Sequence, residues 1–197
     1  MICFRYPDSP VRTMSSELYR IDNNETGKWY AQFKWDGWRR PIYISSGQVN
    51  FYSKHDFQAK DLPPHDLQQE FRNLGFPEGT AFDAEWMGKR CTAQLGGRHY
   101  FILFDLLYLN GQWMGDLPYS QRYLTLKTLV EKHKAKVDAP NIVLEPICEL
   151  GFLAMFERSK SMPLTEGIVL KGKDSKIKGN VLKSAENGFW LKCKWRQ

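Results

Sequence analysis

At 197 residues, with 42% hydrophobic and 25% charged side chains, the chain has material for one sizeable core and lacks the composition of a disordered segment. No apolar run approaches the roughly eighteen residues of a membrane span, and the start, Met1-Ile2-Cys3-Phe4-Arg5, soon meets Pro7, Asp8 and Pro10 instead of the apolar stretch of a secretory signal. The net charge of +6 is concentrated, since residues 171–197 carry all of it, and such a surplus points to a polyphosphate partner, against the plainer reading of a solvated, lysine-rich edge.

In chain order, strand-like runs rich in aromatic and β-branched residues fall at 29–34, 41–45, 49–53, 80–86, 99–105, 142–145, 167–171 and 189–194. Helical patterns fall at 65–73, at 120–136 with Tyr123, Leu126, Leu129 and Val130 at helical spacing, and at 151–160 with Phe152, Met155 and Phe156. Gly47, Gly96-Gly97, Asn110-Gly111 and Asn187-Gly188 read as turns. Strands in meander order with helices inserted predict one α+β domain over 1–197, with antiparallel sheets and packed helices. Cys3, Cys91, Cys148 and Cys193 are scattered, form no C-x-x-C and have no histidine at zinc spacing, so they read as free thiols of a cytoplasmic protein. His55, His65, His99 and His133 lack a recognisable nucleophile partner and read as surface or packing residues.

The chemistry-bearing residues begin with Lys34-Trp35-Asp36-Gly37-Trp38-Arg39, a K-x-D-G-x-R run. It offers an amine nucleophile, a carboxylate two residues on and a guanidinium, the groups needed to attack a nucleotide α-phosphate and hold the adduct. No G-x-x-x-x-G-K-[ST] or G-x-G-x-x-G occurs, so lysines must do what glycine-rich backbone does in those nucleotide sites. Further on, Phe82-Asp83-Ala84-Glu85-Trp86 places Glu85 at the end of an apolar strand, and Phe101 to Gly111 forms an aromatic strand ending in a turn. Thr165-Glu166-Gly167-Ile168-Val169-Leu170-Lys171 puts a carboxylate at the head of a β-rich run. Trp190-Leu191-Lys192-Cys193-Lys194-Trp195 spaces two lysines by two, which sends both to one face of a strand. Neighbouring cations such as these favour a neutral amine and offset charge on a phosphate. Trp35 and Trp38 read as walls of the site. Phe104 is either a stacking ring or core like Ile102 and Leu106, Asp105 is structural or catalytic, Arg122 is a site arginine or a helix-surface one, and Lys171 touches phosphate or flanks the basic loop.

In this order of motifs, from Lys34 to Lys194, the chain resembles the covalent nucleotidyltransferases: ATP-dependent DNA ligases, RNA ligases and mRNA-capping guanylyltransferases. Phe51-Tyr52-Ser53-Lys54 stands at a further motif, with Lys54 replacing the usual arginine. The resemblance implies a nucleotidyltransferase, ATP-grasp-like ligase catalytic domain with no OB domain. It implies that Lys34 becomes AMP-linked, with Asp36, Arg39, Lys192 and Lys194 in the catalytic set. Glu85, Phe104, Lys54 and the same cations would hold the nucleotide, with Phe104 stacking on the base. Glu166 and Asp36 would serve a divalent cation, Mg²⁺ with Mn²⁺ as the alternative. Glu166-Gly167 at the head of its motif, together with Arg39, is more similar to ligases than to cappers, so ATP and DNA are expected ahead of GTP and RNA. Nicked ends would meet the basic 171–196 segment, and the chain would act as a monomer. With the chain stopping at Gln197, an OB-fold partner in trans, or Lys176 and Lys178, would have to assist adenylation. The alternatives are an RNA ligase, a capping-type guanylyltransferase and, in a different class, a non-catalytic binder of nucleic-acid ends.

Overall fold

The computed structural model describes residues 5, 7–53, 61–88, 93–179 and 186–195. Its elements in order are β1 (Ser9–Arg12), α1 (Ser15–Asn24), β2 (Trp29–Trp35), β3 (Trp38–Arg39), β4 (Ile42–Ser45), β5 (Gln48–Phe51), α2 (His65–Asn73), β6 (Ala81–Met87), β7 (Tyr100–Leu109), β8 (Gln112–Trp113), α3 (Tyr119–Lys134), β9 (Ile142–Leu144), α4 (Phe152–Ser161), β10 (Thr165–Gly172) and β11 (Glu186–Lys194). One sheet runs β1-β11-β10-β2; the other runs β5-β4-β6-β7-β8, with β3 beside β6 and β9 beside β7. The α+β class read from the sequence is the architecture observed. Most pairings are antiparallel as expected, while β1 with β11 and β7 with β9 are parallel.

Strand alternation explains why the first sheet has one apolar and one chemical face. Trp29 and Ala31 of β2, Ile168 and Leu170 of β10, and Cys193 of β11 pack with Leu18 and Ile21 of α1 and Phe152 and Phe156 of α4. The residues between them, Lys34, Val169, Lys171, Trp190 and Lys192, line a cleft on the other face. Each large apolar side chain removed from water contributes about 1.5–3 kcal/mol. The second sheet buries its outer face, including Phe82, Ala84, Phe101 and Leu103, against Leu67 and Phe71 of α2 and Leu126 and Val130 of α3. The sheets meet where Trp190 of β11 packs with Leu107 and Tyr108 of β7 and with Ile177.

Three turns follow their sequence signals, among them Gly96-Gly97, both left-handed. Ser46 and Gly47 adopt left-handed conformations between β4 and β5, and Asn110 and Gly111 do so between β7 and β8, as tight hairpins require. The turn expected at Asn187-Gly188 is present as a local Asx turn, Asn187 Oδ1 accepting from the Phe189 N–H at 3.0 Å, but it lies inside β11, at a break in the register with β1, and does not end the strand. Asn187 also donates from Nδ2 to Asp8 Oδ2 at 2.9 Å and to the Lys176 carbonyl at 2.8 Å, which anchors that turn within the sheet. Four of these elements have no counterpart in the sequence reading: β1, α1 and the two-residue strands β3 and β8. No helix among the described residues is long and apolar enough to cross a membrane. Cys148 and Cys193 are free thiols, while Cys3 and Cys91 lie outside the described residues.

Candidate active site

The cleft between the sheets has a volume of about 370 Å³ and contains Lys34, Arg39, Glu85, Phe104, Glu166, Lys171 and Lys192 on its walls. At its first-sheet wall, β10 lies between β2 and β11, and Gly167 stands opposite both Lys34 and Lys194. The register slips between Thr165 and Gly167, so Glu166 is the extra residue of a bulge, a device that re-aims side chains. One carboxylate oxygen of Glu166 accepts from the Lys34 ammonium and the other from Lys194. Burial pushes the Glu166 carboxyl up, but hydrogen bonds and charge from Lys194 and Lys34 outweigh it and hold it below the usual range. Only glycine fits beside it: Gly167 has φ +142, and a Cβ there would stand 1.9 Å from the Cys193 carbonyl oxygen. Gly37 has a matching role in the nucleophile turn, since a Cβ there would come within 2.8 Å of Met87, Trp86 and Glu85 atoms. Its absence lets the 35–38 turn lie directly on β6.

On the second-sheet wall, Arg39 forks onto the buried Asp83, with Nε at 2.9 Å from Oδ1 and a second bond to Oδ2. Its remaining donors reach the Ser9 hydroxyl at 3.1 Å and the Asp8 carbonyl at 2.7 Å, which ties β1 over the cleft. Burial works against the Arg39 charge, but the Asp83 charge and hydrogen bonds outweigh it and keep the guanidinium firmly protonated. Glu85, two residues along the same face of β6, is pushed up to about 7 by burial, with Lys34 and Arg39 pulling the other way.

Phe104 sits at a second bulge, where Ala84 faces Leu103 and Asp83 faces Asp105, so Phe104 has no direct partner. The bulge sends Phe104 and Asp105 in succession toward the cleft side. Phe104 is half-buried there, its ring 4.9 Å from the Lys171 ammonium. Below it, Asp105 and Arg122 form a fully buried two-point pair at 2.9 and 3.0 Å, and Arg122 also donates to the Leu117 and Ser175 carbonyls. Burial raises the Asp105 carboxyl, but Arg122 and Lys171 outweigh it and hold it low. Lys171 is buried among the Phe104, Tyr119 and Trp190 rings. Burial lowers its ammonium to about 8, with the Asp105 and Asp83 charges opposing.

Of the residues singled out in the sequence, Lys34, Arg39, Glu85, Phe104, Glu166, Lys192 and Lys194 come together here. Lys192 and Lys194 share one face of β11, with Cys193 in the core between them, as their spacing predicts. Asp36 is not on the cleft wall; its backbone N–H donates to the Leu164 carbonyl at 2.8 Å. Lys54 lies outside the described residues. The basic 171–196 segment divides into distinct environments. Lys171, Lys192 and Lys194 turn inward, Lys173 pairs with Glu149 at 3.1 Å, Lys176 and Lys178 are exposed, and Lys183 and Arg196 lie outside the described residues. Sequence reasoning missed Ser9, Gln32, Asp83 and Trp190. Asp83 was within reach, because a position two before Glu85 on a strand must share its face.

Among the described residues no three His, Cys, Asp or Glu side chains cluster as a ready-made metal site. Glu166 is the carboxylate at the lysine cluster, and one protein carboxylate combined with substrate phosphates is the usual way a magnesium ion is held.

Residues 93–194 match the family ATP dependent DNA ligase domain. The SPbeta prophage-derived DNA ligase-like protein LigB of Bacillus subtilis is 26% identical over 180 residues, covering 82% of this chain and 59% of that protein. The multifunctional non-homologous end joining protein LigD of Pseudomonas aeruginosa is 23% identical over 90% of this chain and 21% of its own length. The chain thus spans well under two thirds of these relatives. Among solved structures, mycobacterial DNA ligase D complexed with ATP and MES superposes with a TM-score of 0.71 over 97% of this chain and 60% of that one, at 20% identity. The ATP-dependent DNA ligase from bacteriophage T7 in complex with ATP gives 0.64 over 97% and 69%, at 15% identity. These likenesses establish a shared fold.

Proposed function

This chain belongs to the ATP dependent DNA ligase domain family, and from that premise we propose that it is the adenylating domain of a polynucleotide ligase, with Lys34 as its nucleophile. The observation that carries the reading is Glu166, held between Lys34 and Lys194 at the wall of a cleft whose far side presents Phe104. ATP is the substrate, supported by the family and by the ATP complexes of two proteins of this fold. The base stacks on Phe104, whose ring is open to the cleft, and Glu85 and Arg39 stand at the ribose and substrate end. Lys34 leaves Glu166, loses one ammonium proton to water before attack and a second from its nitrogen as the Nζ–Pα bond forms, while the bond from Pα to the bridging oxygen breaks and pyrophosphate departs. Lys192 and Lys194 offset the charge that develops on the α-phosphate. Glu166 is the carboxylate that would hold Mg²⁺, which supplies Lewis-acid stabilisation of phosphate charge. AMP then passes to a 5′-phosphate end and is displaced by a neighbouring 3′-OH. DNA is the favoured polymer, on the family match.

The test is incubation with α-labelled ATP and Mg²⁺ followed by intact mass. A gain equal to AMP, absent from Lys34→Ala, supports the reading, and persistent labelling of that variant removes Lys34 from its role. A GMP gain with GTP would turn the reading to capping. Sealing of nicked DNA against nicked RNA then decides the polymer.

A further inference from the structure

Lys34 lies on β2, the edge strand of its sheet, with β10 on one side. An edge strand leaves a row of N–H and C=O groups unpaired, and its side chains are only as fixed as that edge. Here the open edge is closed by residues 145–148, which follow β9. Ala31 and Cys148 exchange both backbone hydrogen bonds at 2.8 Å. Next along, the Phe33 N–H donates to a side chain, Glu145 Oε1, at 3.0 Å. The second oxygen, Oε2, accepts from the Trp35 indole Nε1 at 2.6 Å. A single buried carboxylate thus grips the residues immediately before and after Lys34. Glu145 is itself fixed from the second sheet and from α3: its N–H donates to the Leu103 carbonyl of β7 at 2.8 Å, and its carbonyl accepts from the Tyr123 hydroxyl of α3 at 2.8 Å.

We propose that Glu145 is a positioning residue for adenylation, the clamp that fixes the Phe33–Trp35 segment from behind and so sets where the Lys34 amine stands in the cleft. This rests on the reading of Lys34 as the nucleophile. A carboxylate is the one side chain that satisfies both donors at once. An amide of the same shape turns an NH₂ toward one of them and leaves that N–H without an acceptor. Glu145 is 1% exposed, so water cannot replace the missing oxygen. The charged groups that face it are few: Lys171 of β10 favours its ionised form, and Tyr119 and Tyr123 of α3 stand near it. Burial nevertheless lifts its carboxyl to about 7, with the Trp35 and Phe33 hydrogen bonds opposing. A group held against that penalty fits the role of a positioner better than that of a filler.

The experiment measures single-turnover formation of lysyl-AMP across ATP concentrations with Mg²⁺, on wild type, Glu145→Gln, Trp35→Phe and the double variant. Displacing a nucleophile by a fraction of an ångström costs rate more than binding. Glu145→Gln should therefore slow adduct formation at saturating ATP by about tenfold, with the half-saturating ATP concentration moving less than about twofold. Trp35→Phe should slow it by about threefold in the same manner. The double variant should be no slower than Glu145→Gln alone, because the glutamine carbonyl can serve Phe33 once the indole N–H is gone. Multiplying losses, a change confined to half-saturation, or an unchanged Glu145→Gln rate each overturn the proposal. If Glu145→Gln does not fold, Trp35→Phe carries the test, and an unchanged rate in it is refuting. Wild type that forms no adduct removes the nucleophile reading and the proposal with it; wild type and variant reacting equally removes only the proposal.

Discussion

Replacing Gly167 with alanine tests the central geometric claim, that the site depends on two strands closing tightly on either side of Glu166. Gly167 has φ +142, a backbone region strained for residues with a Cβ, and the added methyl would stand 1.9 Å from the Cys193 carbonyl oxygen. Ordinary contact lies near 3.5 Å, so β10 and β11 must part locally. The backbone strain is of order 1–3 kcal/mol, and the weakened ladder adds about 1 kcal/mol. At roughly 2–4 °C per kcal/mol for a chain of this size, melting should fall by about 5–15 °C. Because Gly167 pairs with both Lys34 and Lys194, the same shift pulls Glu166 out of its bridge, and lysyl-AMP formation by the folded fraction should drop at least about tenfold. Gly188→Ala is the control, since a Cβ there meets nothing within 4 Å on the same strand. Gly167→Ala melting within about 2 °C of wild type and forming adduct at the wild-type rate would refute the reasoning.

Asp105→Asn should leave Arg122 and Lys171 buried without their shared counter-charge and cost about 3–5 kcal/mol in urea unfolding, against under about 0.5 kcal/mol for Glu131→Gln in an exposed pair. Phe104→Ala should weaken ATP binding by about 5- to 100-fold, the worth of one base–aromatic stack, with isothermal titration as the check; unchanged affinity would return Phe104 to the core. The Glu85 carboxyl, raised by burial to about 7 from an ordinary 4.5, binds its proton more tightly folded than unfolded. Its contribution to stability is full below about pH 4.5 and is lost as pH rises through about 7, by at most about 3 kcal/mol. Glu85→Gln should therefore gain on wild type in melting temperature between pH 5 and 8, and parallel profiles would count against that shift.

What the sequence made legible is what local spacing encodes. Alternation along 192–194 foretold two lysines on one face, and the Asn110-Gly111 pair foretold a turn, because each depends on residues within a few positions. The missed features depend on partners far along the chain. β1 contains Pro10 and carries no strand alternation of its own; it forms because β11, nearly 180 positions later, offers it an edge. α1 has only Leu18 and Ile21 as buried residues, too few to mark a helix until α4 provides the face they pack on. Asn187-Gly188 keeps a local turn, Asn187 Oδ1 accepting from the Phe189 N–H, yet stands within β11, where Asp8 and the Lys176 carbonyl hold the asparagine.

The same distinction separates the two kinds of site residue. Lys34, Arg39 and Glu166 could be named from motifs, since their chemistry is carried by type and spacing. Trp35 read as a wall and does line the cleft, but that its indole also donates to Glu145 across 110 positions could not be read. Glu145 had no signal at all, because a glutamate before a proline at a strand end is an unremarked surface residue until the fold buries it. Yet each strand bearing a reactive group has its position fixed by such a partner: β2 by Glu145 at its edge, β10 by the Gly167 contact, and Arg39 by Asp83. A motif specifies which atoms react. Their separation is set by these long-range contacts, and on that account a substitution at Glu145 should change rate while every motif residue remains in place, and one at Gly167 while every reactive side chain does.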